Sequence, residues 1–262
     1  MPKSLKCADL KPYRITKWAR GHSNWGDTTE ADAIKYVQQV FAWAERQGII
    51  GRNPVKHVDK PTRRRRDVFY DADKYQQILS HTDRAFGDFL KFAWYTGGRP
   101  QEVRTLESRQ ITRTGNSASV EFEIRKSKGQ TDRRKIMLCD EALQIFDRYA
   151  AKNKAGPIFR NSQGNPFTKD SIGQRLRRIR DKVGFQVILY GARHSYATNA
   201  IYGGVDPITL AHLMGHKDLS MVANVYSHVD ANRDHLAKSA QRAAEPLTEG
   251  PAKDVAQCED AA

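Results

Sequence analysis

Arg99, Lys128, Arg193, His216 and Tyr226 are the side chains of this sequence that could do chemistry as one site. Two arginines stay charged at any working pH and can neutralise the nonbridging oxygens of a phosphodiester. They would supply positive charge where negative charge builds up in a pentacoordinate transition state. A tyrosine hydroxyl, with a pKa of about 10, is a poor nucleophile until cations or a base activate it. Arg99, Arg193 and His216 would provide that environment for Tyr226. A leaving sugar alkoxide needs a proton, and Lys128 on a mobile turn can deliver it. The products would be a phosphotyrosine and a free hydroxyl. Because the ester is exchanged and not lost, rejoining needs no ATP. The arginines would also do a metal's work, so neither a metal nor another cofactor is expected.

The elements that must position these residues follow from pattern. Phe86, Phe89, Leu90 and Ala93 share one face of a helix over 83–95, which Gly97-Gly98 ends. Pro100 favours the first position of the next helix, so Arg99 stands at that helix's N-terminus. Unpaired amides and the dipole there attract an anion, and the double glycine clears room for close approach. Val120, Phe122 and Ile124 alternate with charged residues, and 133–138 reads as a return strand. The pair makes a hairpin with Lys126 and Lys128 near its tip. A helix over 141–152 turns Ala142, Ile145, Phe146 and Tyr149 inward. The segment 168–183 is strongly amphipathic, with Ile172, Leu176, Ile179 and Val183 as its apolar stripe. Lys169, Arg175, Arg177, Arg178, Arg180 and Lys182 fill much of the rest, so this helix is expected to lie along a DNA groove. Three short helices follow Tyr190: 192–202, then one begun by Asp206-Pro207 and stopped at Gly215-His216, then one capped by Ser220 that carries Tyr226. A last polar helix spans about 231–243, and the residues after it have a disordered composition.

The N-terminal part reads differently. Residues 1–26 are expected to be irregular, with Trp18 and Trp25 as core anchors. Asp27 is a plausible N-cap with Glu30 at capping-box spacing. Ile34, Val37, Phe41 and Ala44 recur at helical spacing before Gly48. The run Arg63-Arg64-Arg65-Arg66 after Pro61 marks a solvated linker that is also expected to lie against phosphates.

The chain has 262 residues, with 44 Lys and Arg against 30 Asp and Glu. So large a basic excess predicts a polyanionic partner, most often nucleic acid. No apolar run approaches the roughly 20 residues that span a bilayer, and the N-terminus has no secretory pattern, so a cytoplasmic protein without a membrane partner is expected. Cys7, Cys139 and Cys258 lie too far apart for a zinc site or a disulfide framework.

The order of Thr96-Gly97-Gly98-Arg99-Pro100-Gln101-Glu102, the hairpin lysine, Ala192-Arg193-His194-Ser195-Tyr196-Ala197-Thr198, Leu213-Met214-Gly215-His216 and Tyr226-Ser227-His228 resembles the catalytic domain of the tyrosine recombinase (phage integrase) family. The resemblance implies a mainly α fold with a small antiparallel β-sheet (α+β), in two domains. A helical core-binding domain would occupy 1–60, a basic linker 61–67, the catalytic domain 68–243 and a disordered tail 244–262. It implies site-specific recombination of double-stranded DNA through a 3′-phosphotyrosine. Arg99 and Arg193 would hold the scissile phosphate, Lys128 would protonate the 5′-oxygen, His216 would hydrogen-bond the phosphate and Tyr226 would attack. Lys126 is the rival for the lysine role, because hairpin registers slip. Glu102 would buttress the site. Arg63, Arg64, Arg65, Arg66, Lys126, Arg175 and Arg178 would contact DNA. Strand exchange in this family needs a homotetramer on DNA, with accessory DNA-bending proteins as further partners.

Two departures stand out. The family usually has His three residues before the second arginine; here it is Tyr190, which can hydrogen-bond but is not a base at neutral pH. The first helix of a full core-binding domain is not evident, which leaves a compact recombinase or a chain lacking upstream sequence. Two alternatives therefore stay open: a catalytically weakened DNA-binding protein of the same fold, and a type IB topoisomerase-like nicking-closing enzyme. His194, His212 and His228 read as packing or capping residues.

Overall fold

The computed structural model describes residues 6–63, 68–125, 131–215 and 237. The chain divides into two units, Met1–Arg66 and Asp67–Ala262.

In the first unit, α1 (Pro12–Arg20) and α2 (Asp27–Arg46) enclose a small core. Ile15 and Ala19 of α1 and Ile34 of α2 are buried with Leu10, Val55 and Val58. The amide of Gln38 donates to the carbonyls of Val55, Lys56 and Val58 at 3.1, 3.2 and 3.1 Å, tying the loop after α2 to its helix. Two expectations are corrected here. Residues 6–26 are not irregular throughout: α1 forms, started by Pro12 at its first turn. The signal was present: Ile15, Trp18 and Ala19 recur at i, i+3 and i+4, with Ile15 and Ala19 buried and Trp18 packed on the same core. The cap of α2 is Gly26, not Asp27; Asp27 and Glu30 stand in the first turn, where the helix dipole favours acids. Trp18 and Trp25 pack against this core, as expected, edge to face with ring centroids 5.4 Å apart.

The second unit is built on α3 (Ala72–Ser80), α4 (Arg84–Thr96), α5 (Pro100–Thr105), β1 (Ile111–Thr114), β2 (Ser117–Arg125), β3 (Thr131–Leu138), α6 (Asp140–Lys152), α7 (Lys169–Val183), α8 (Leu189–Tyr202) and α9 (Pro207–Met214). Side-chain caps fix several helix starts. Asp71 accepts from the Lys74 amide at 2.8 Å and Asp83 from the Phe86 amide at 2.9 Å. Asp206 accepts from the amides of Ile208 and Thr209 at 3.0 and 2.9 Å. Each such cap stabilises its helix by about 1 kcal/mol.

The core is rich in phenylalanine. Phe86, Phe89 and Phe92 of α4 meet Phe159 and Phe167 with ring centroids 5.3–5.6 Å apart. Burying each ring stabilises the fold by roughly 1.5–3 kcal/mol. Helix α8 packs along this buried α4, with α9 against its far end. The expected hairpin is part of a three-stranded antiparallel sheet of order β1-β2-β3, in which Ile111 pairs with Val120 and Phe122 with Arg134. Strand β1 and helix α3 were not expected: β1 is four residues long and largely exposed, so it carries no alternation of its own. Helix α8 begins at Leu189, so Tyr190 lies inside it, not ahead of it.

The helix expected after Ser220, the one over 231–243 apart from Ala237, which is helical, and the tail 244–262 lie outside the described residues. Among the described residues no helix is long and apolar enough to cross a membrane.

Candidate active site

The Arg99 turn is shaped from both sides. Gly97 caps α4 in the left-handed conformation, φ +57°, and a Cβ there would lie 2.5 Å from the Tyr196 ring of α8. A Cβ on Gly98 would lie 2.7 Å from Val103 Cγ2. Packing therefore favours glycine at both positions, and the left-handed turn requires it at Gly97. Arg99 caps α5, with Pro100 following. The free amides expected at this helix start are partly taken: the Arg99 N–H donates to Glu102 Oε2 at 2.7 Å, and its Nη1 donates to Oε1 at 3.0 Å. The Arg99 side chain stays 36% exposed, the open face of the cluster.

Arg193 comes from α8 and is 2% exposed. Its Nη1 donates to the carbonyl of Gly97 and its Nη2 to that of Met214, the latter at 2.7 Å. Burial lowers its pKa to about 10, and repulsion from Arg134 and Arg99 adds to the drop. Arg99 Nη2 reaches the carbonyl of Gly215 at 3.4 Å. The two arginines, 94 positions apart in sequence, thus hold consecutive carbonyls at the end of α9, the turn that leads to His216.

Arg134 of β3 completes the cluster and was not among the expected site residues. It is 4% exposed, and its Nη1 donates to both oxygens of Glu102 at 2.7 Å. A signal was present: Arg134 precedes the buried Ile136 by two residues, and strand period puts both on the inward face. Burial lowers its pKa, with Glu102 opposing and Arg99 reinforcing. Gly215, φ +59°, lies on this side chain: a Cβ there would be 2.3 Å from Arg134 Nε.

Tyr70 anchors the start of α8. Its hydroxyl donates to the Ile188 carbonyl at 3.1 Å and accepts from the Ile188 amide at 2.8 Å. Its own amide donates to Ser195 Oγ at 2.8 Å. A Cβ on Gly191 would lie 2.4 Å from its ring. Tyr190 sits on α8 one turn before Arg193, 38% exposed, with its ring edge-on to His194 at 5.1 Å.

The remaining expected residues are apart from this cluster or undescribed. Arg175 pairs with Asp83 and lies over the rings of Phe86 and Phe167 at 5.3 and 5.5 Å. With Arg178, Lys182 and His81 it lines an open cleft of about 440 Å³ beside α7. Arg178 is exposed, whereas Arg175 is half-buried. Arg63 pairs with Asp32 in the first unit. Lys126, Lys128, His216, Tyr226 and Arg64, Arg65 and Arg66 lie outside the described residues. Among the described residues no three His, Cys, Asp or Glu side chains group as metal ligands.

The sequence profile of the phage integrase family matches residues 67–233, most of the chain. The chain belongs to the phage integrase family. Within that family it is similar to the tyrosine recombinase XerC of Pelobacter propionicus, 26% identical over 222 residues, covering 79% of this chain and 70% of the relative. It is also similar to the tyrosine recombinase XerA of Saccharolobus solfataricus, 25% identical over 232 residues, 87% of this chain and 76% of the relative. Among solved structures, the Tn1549 transposon integrase in complex with circular intermediate DNA superposes with a TM-score of 0.70 at 21% identity, covering 90% of this chain and 87% of that one. XerH bound to a palindromic difH substrate, a post-cleavage complex, gives 0.67 at 15% identity, covering 91% and 74%. These two likenesses speak to the fold: mostly helical with a small antiparallel sheet, as the integrase-type motifs implied.

Proposed function

We propose that this phage integrase family member is a site-specific DNA recombinase that cuts and rejoins strands through a 3′-phosphotyrosine on Tyr226. The convergence of Arg99 and Arg193 on one turn carries this reading. Three guanidinium groups face a single carboxylate, Glu102, among the described residues there, an excess of positive charge suited to a phosphodiester. Tyr226 Oη attacks phosphorus and its proton leaves to His216 or water. The bond from phosphorus to the 5′-oxygen breaks, and Lys128, with Lys126 as the rival, protonates that oxygen. Attack by a 5′-hydroxyl of another strand reverses the step and frees the tyrosine. Arg99 and Arg193 hold the nonbridging oxygens throughout, with neither metal nor ATP.

Double-stranded DNA is the substrate. The XerH and Tn1549 integrase structures are DNA complexes, and the 44-to-30 charge balance fits the same partner. Residues 1–60 form the DNA-clamp domain, 61–67 the basic linker and 68–243 the catalytic domain, working as a homotetramer in the cytoplasm with DNA-bending proteins as accessories. Arg178 with Arg63, Arg64, Arg65 and Arg66 contacts backbone phosphates. Tyr190, in place of the usual histidine and packed on His194, favours one second reading, a catalytically weakened DNA-binding protein.

A nicked suicide substrate separates the two. Incubated in chelator, the wild type is expected to accumulate a covalent protein–DNA adduct and Tyr226→Phe none. DNA binding without any adduct would leave only the second reading, and an adduct from Tyr226→Phe would remove the nucleophile assignment.

A further inference from the structure

Glu102 is engaged by two guanidinium groups at once. Oε1 accepts from Arg99 Nη1 at 3.0 Å and Arg134 Nη1 at 2.7 Å; Oε2 accepts from Arg134 Nη1 at 2.7 Å and the Arg99 backbone N–H at 2.7 Å. Arg134 does this from inside the protein, its side chain 3% exposed. Its Nε and Nη2 are buried without a hydrogen-bond partner among the described residues. A buried guanidinium with idle donors recovers only part of its desolvation cost. For stability alone, an apolar residue would serve better at this strand position, opposite Phe122 and two residues before Ile136.

We infer that Arg134 is a positioning residue for strand cleavage, whose charge offsets that of Glu102 and so leaves Arg99 cationic toward the DNA phosphate. The inference rests on the recombinase reading, in which Arg99 receives that phosphate. One carboxylate against Arg99 alone would make a neutral pair. Shared with Arg134, it leaves the trio with one net positive charge, in surroundings where charges interact more strongly than in water. Glu102 can thereby fix the Arg99 backbone and side chain without discharging it. The same guanidinium supports the Gly215 turn, whose glycine has no room for a Cβ above Arg134 Nε and Cδ, at 2.3 and 2.6 Å. Arg134 is covered by the fold and does not touch DNA itself, so its loss should lower the cleavage rate more than DNA affinity.

The test is single-turnover adduct formation by the full chain on a suicide substrate at saturating DNA, with DNA affinity and a melting curve for each variant. Arg134→Met is expected to cleave about a hundredfold more slowly than wild type, on the scale of losing one preorganised charge contact, with affinity changed only a few-fold. Arg134 reaches both Glu102 oxygens through Nη1 alone, a contact one ammonium can also make, so Arg134→Lys should stay within about tenfold of wild type. Glu102→Gln combined with Arg134→Met removes both charges and should recover about tenfold over Arg134→Met alone, a rescue that a merely structural role would not give. Wild-type cleavage by Arg134→Met, or a double variant no faster than it, would overturn the inference. If Arg134→Met does not fold, Arg134→Lys decides: loss beyond about a hundredfold counts against the idea. No adduct from the wild type would sink the recombinase reading instead, so the two failures are distinct.

Discussion

Arg193 Nη2 lies 2.7 Å from the carbonyl oxygen of Met214, a polar tie from α8 to the end of α9 beside the apolar packing of Ala197 and Ile201 on Met214. With Nη1 on Gly97, a single guanidinium joins three segments remote in sequence.

Arg193→Lys should therefore fail in two respects at once. An ammonium cannot span both carbonyls in the planar geometry of a guanidinium. A buried carbonyl left unpaired costs about 1–3 kcal/mol, so the catalytic unit should melt several degrees lower by calorimetry. Adduct formation should fall by at least about a hundredfold. Unchanged melting would show that Arg193 does not hold the α4 and α9 ends together.

Tyr70 predicts an alkaline limit to stability. Burial raises its hydroxyl pKa from the ordinary value near 10 to about 12, with the hydrogen bond to Ile188 opposing. The protonated phenol is thus favoured in the folded state. Its contribution is complete below pH 10 and is lost as pH rises through 12, because the unfolded chain gives up this proton first. Tyr70→Phe should be less stable than wild type at neutral pH, having lost both bonds to Ile188. Its melting temperature should also fall less steeply than the wild type's above pH 10. Equal slopes would count against the assignment.

Gly97 and Gly184 offer a matched pair. Both cap helices with positive φ, +57° and +76°. Alanine at either meets the left-handed penalty of about 1–2 kcal/mol. Only at Gly97 would the new Cβ also strike a side chain, the Tyr196 ring at 2.5 Å, while nothing lies within 4 Å at Gly184. Gly97→Ala is expected to destabilise more than Gly184→Ala in urea and to lower cleavage, with Gly184→Ala cleaving normally. Equal effects would mean the ring moves aside freely.

Arg175 and Arg178 share a helix but should behave differently. Arg178 is exposed, so Arg178→Ala should weaken DNA binding and reduce the slope of log K against log salt by about one contact. Arg175 is occupied by Asp83 and two phenylalanine rings, so Arg175→Ala should chiefly lower stability. Titrations from 50 to 200 mM salt, about the range where counterion release is resolved, would show whether the slopes separate as expected.

Turn chemistry made part of this fold legible in sequence. Gly97-Gly98-Arg99-Pro100 encodes a helix stop, an extended residue and a helix start, and Asp206-Pro207 encodes a cap. Both are local rules, and both elements formed at the expected positions. Helix α1 left a local trace, Ile15, Trp18 and Ala19 at i, i+3 and i+4, whereas β1, with three of its four residues exposed, carries no period. Arg134 was passed over for another reason. A charged residue in a strand reads as the solvent side, and only the partner Glu102, 32 residues earlier on a different element, makes its burial tolerable. Such pairing is tertiary information. The alternation of Arg134 with Ile136 was the one local trace of it.

The way Arg193 is tethered bears on what it can still do. Two of its acceptors are main-chain oxygens at helix ends: Gly97 follows α4, and Met214 closes α9. Helix C-termini carry roughly half a negative charge each, as dipole ends and not as ions. They restrain the cation without cancelling its formal charge, as a carboxylate in the same place would. The side chain is aimed in advance by groups that carry no formal charge of their own.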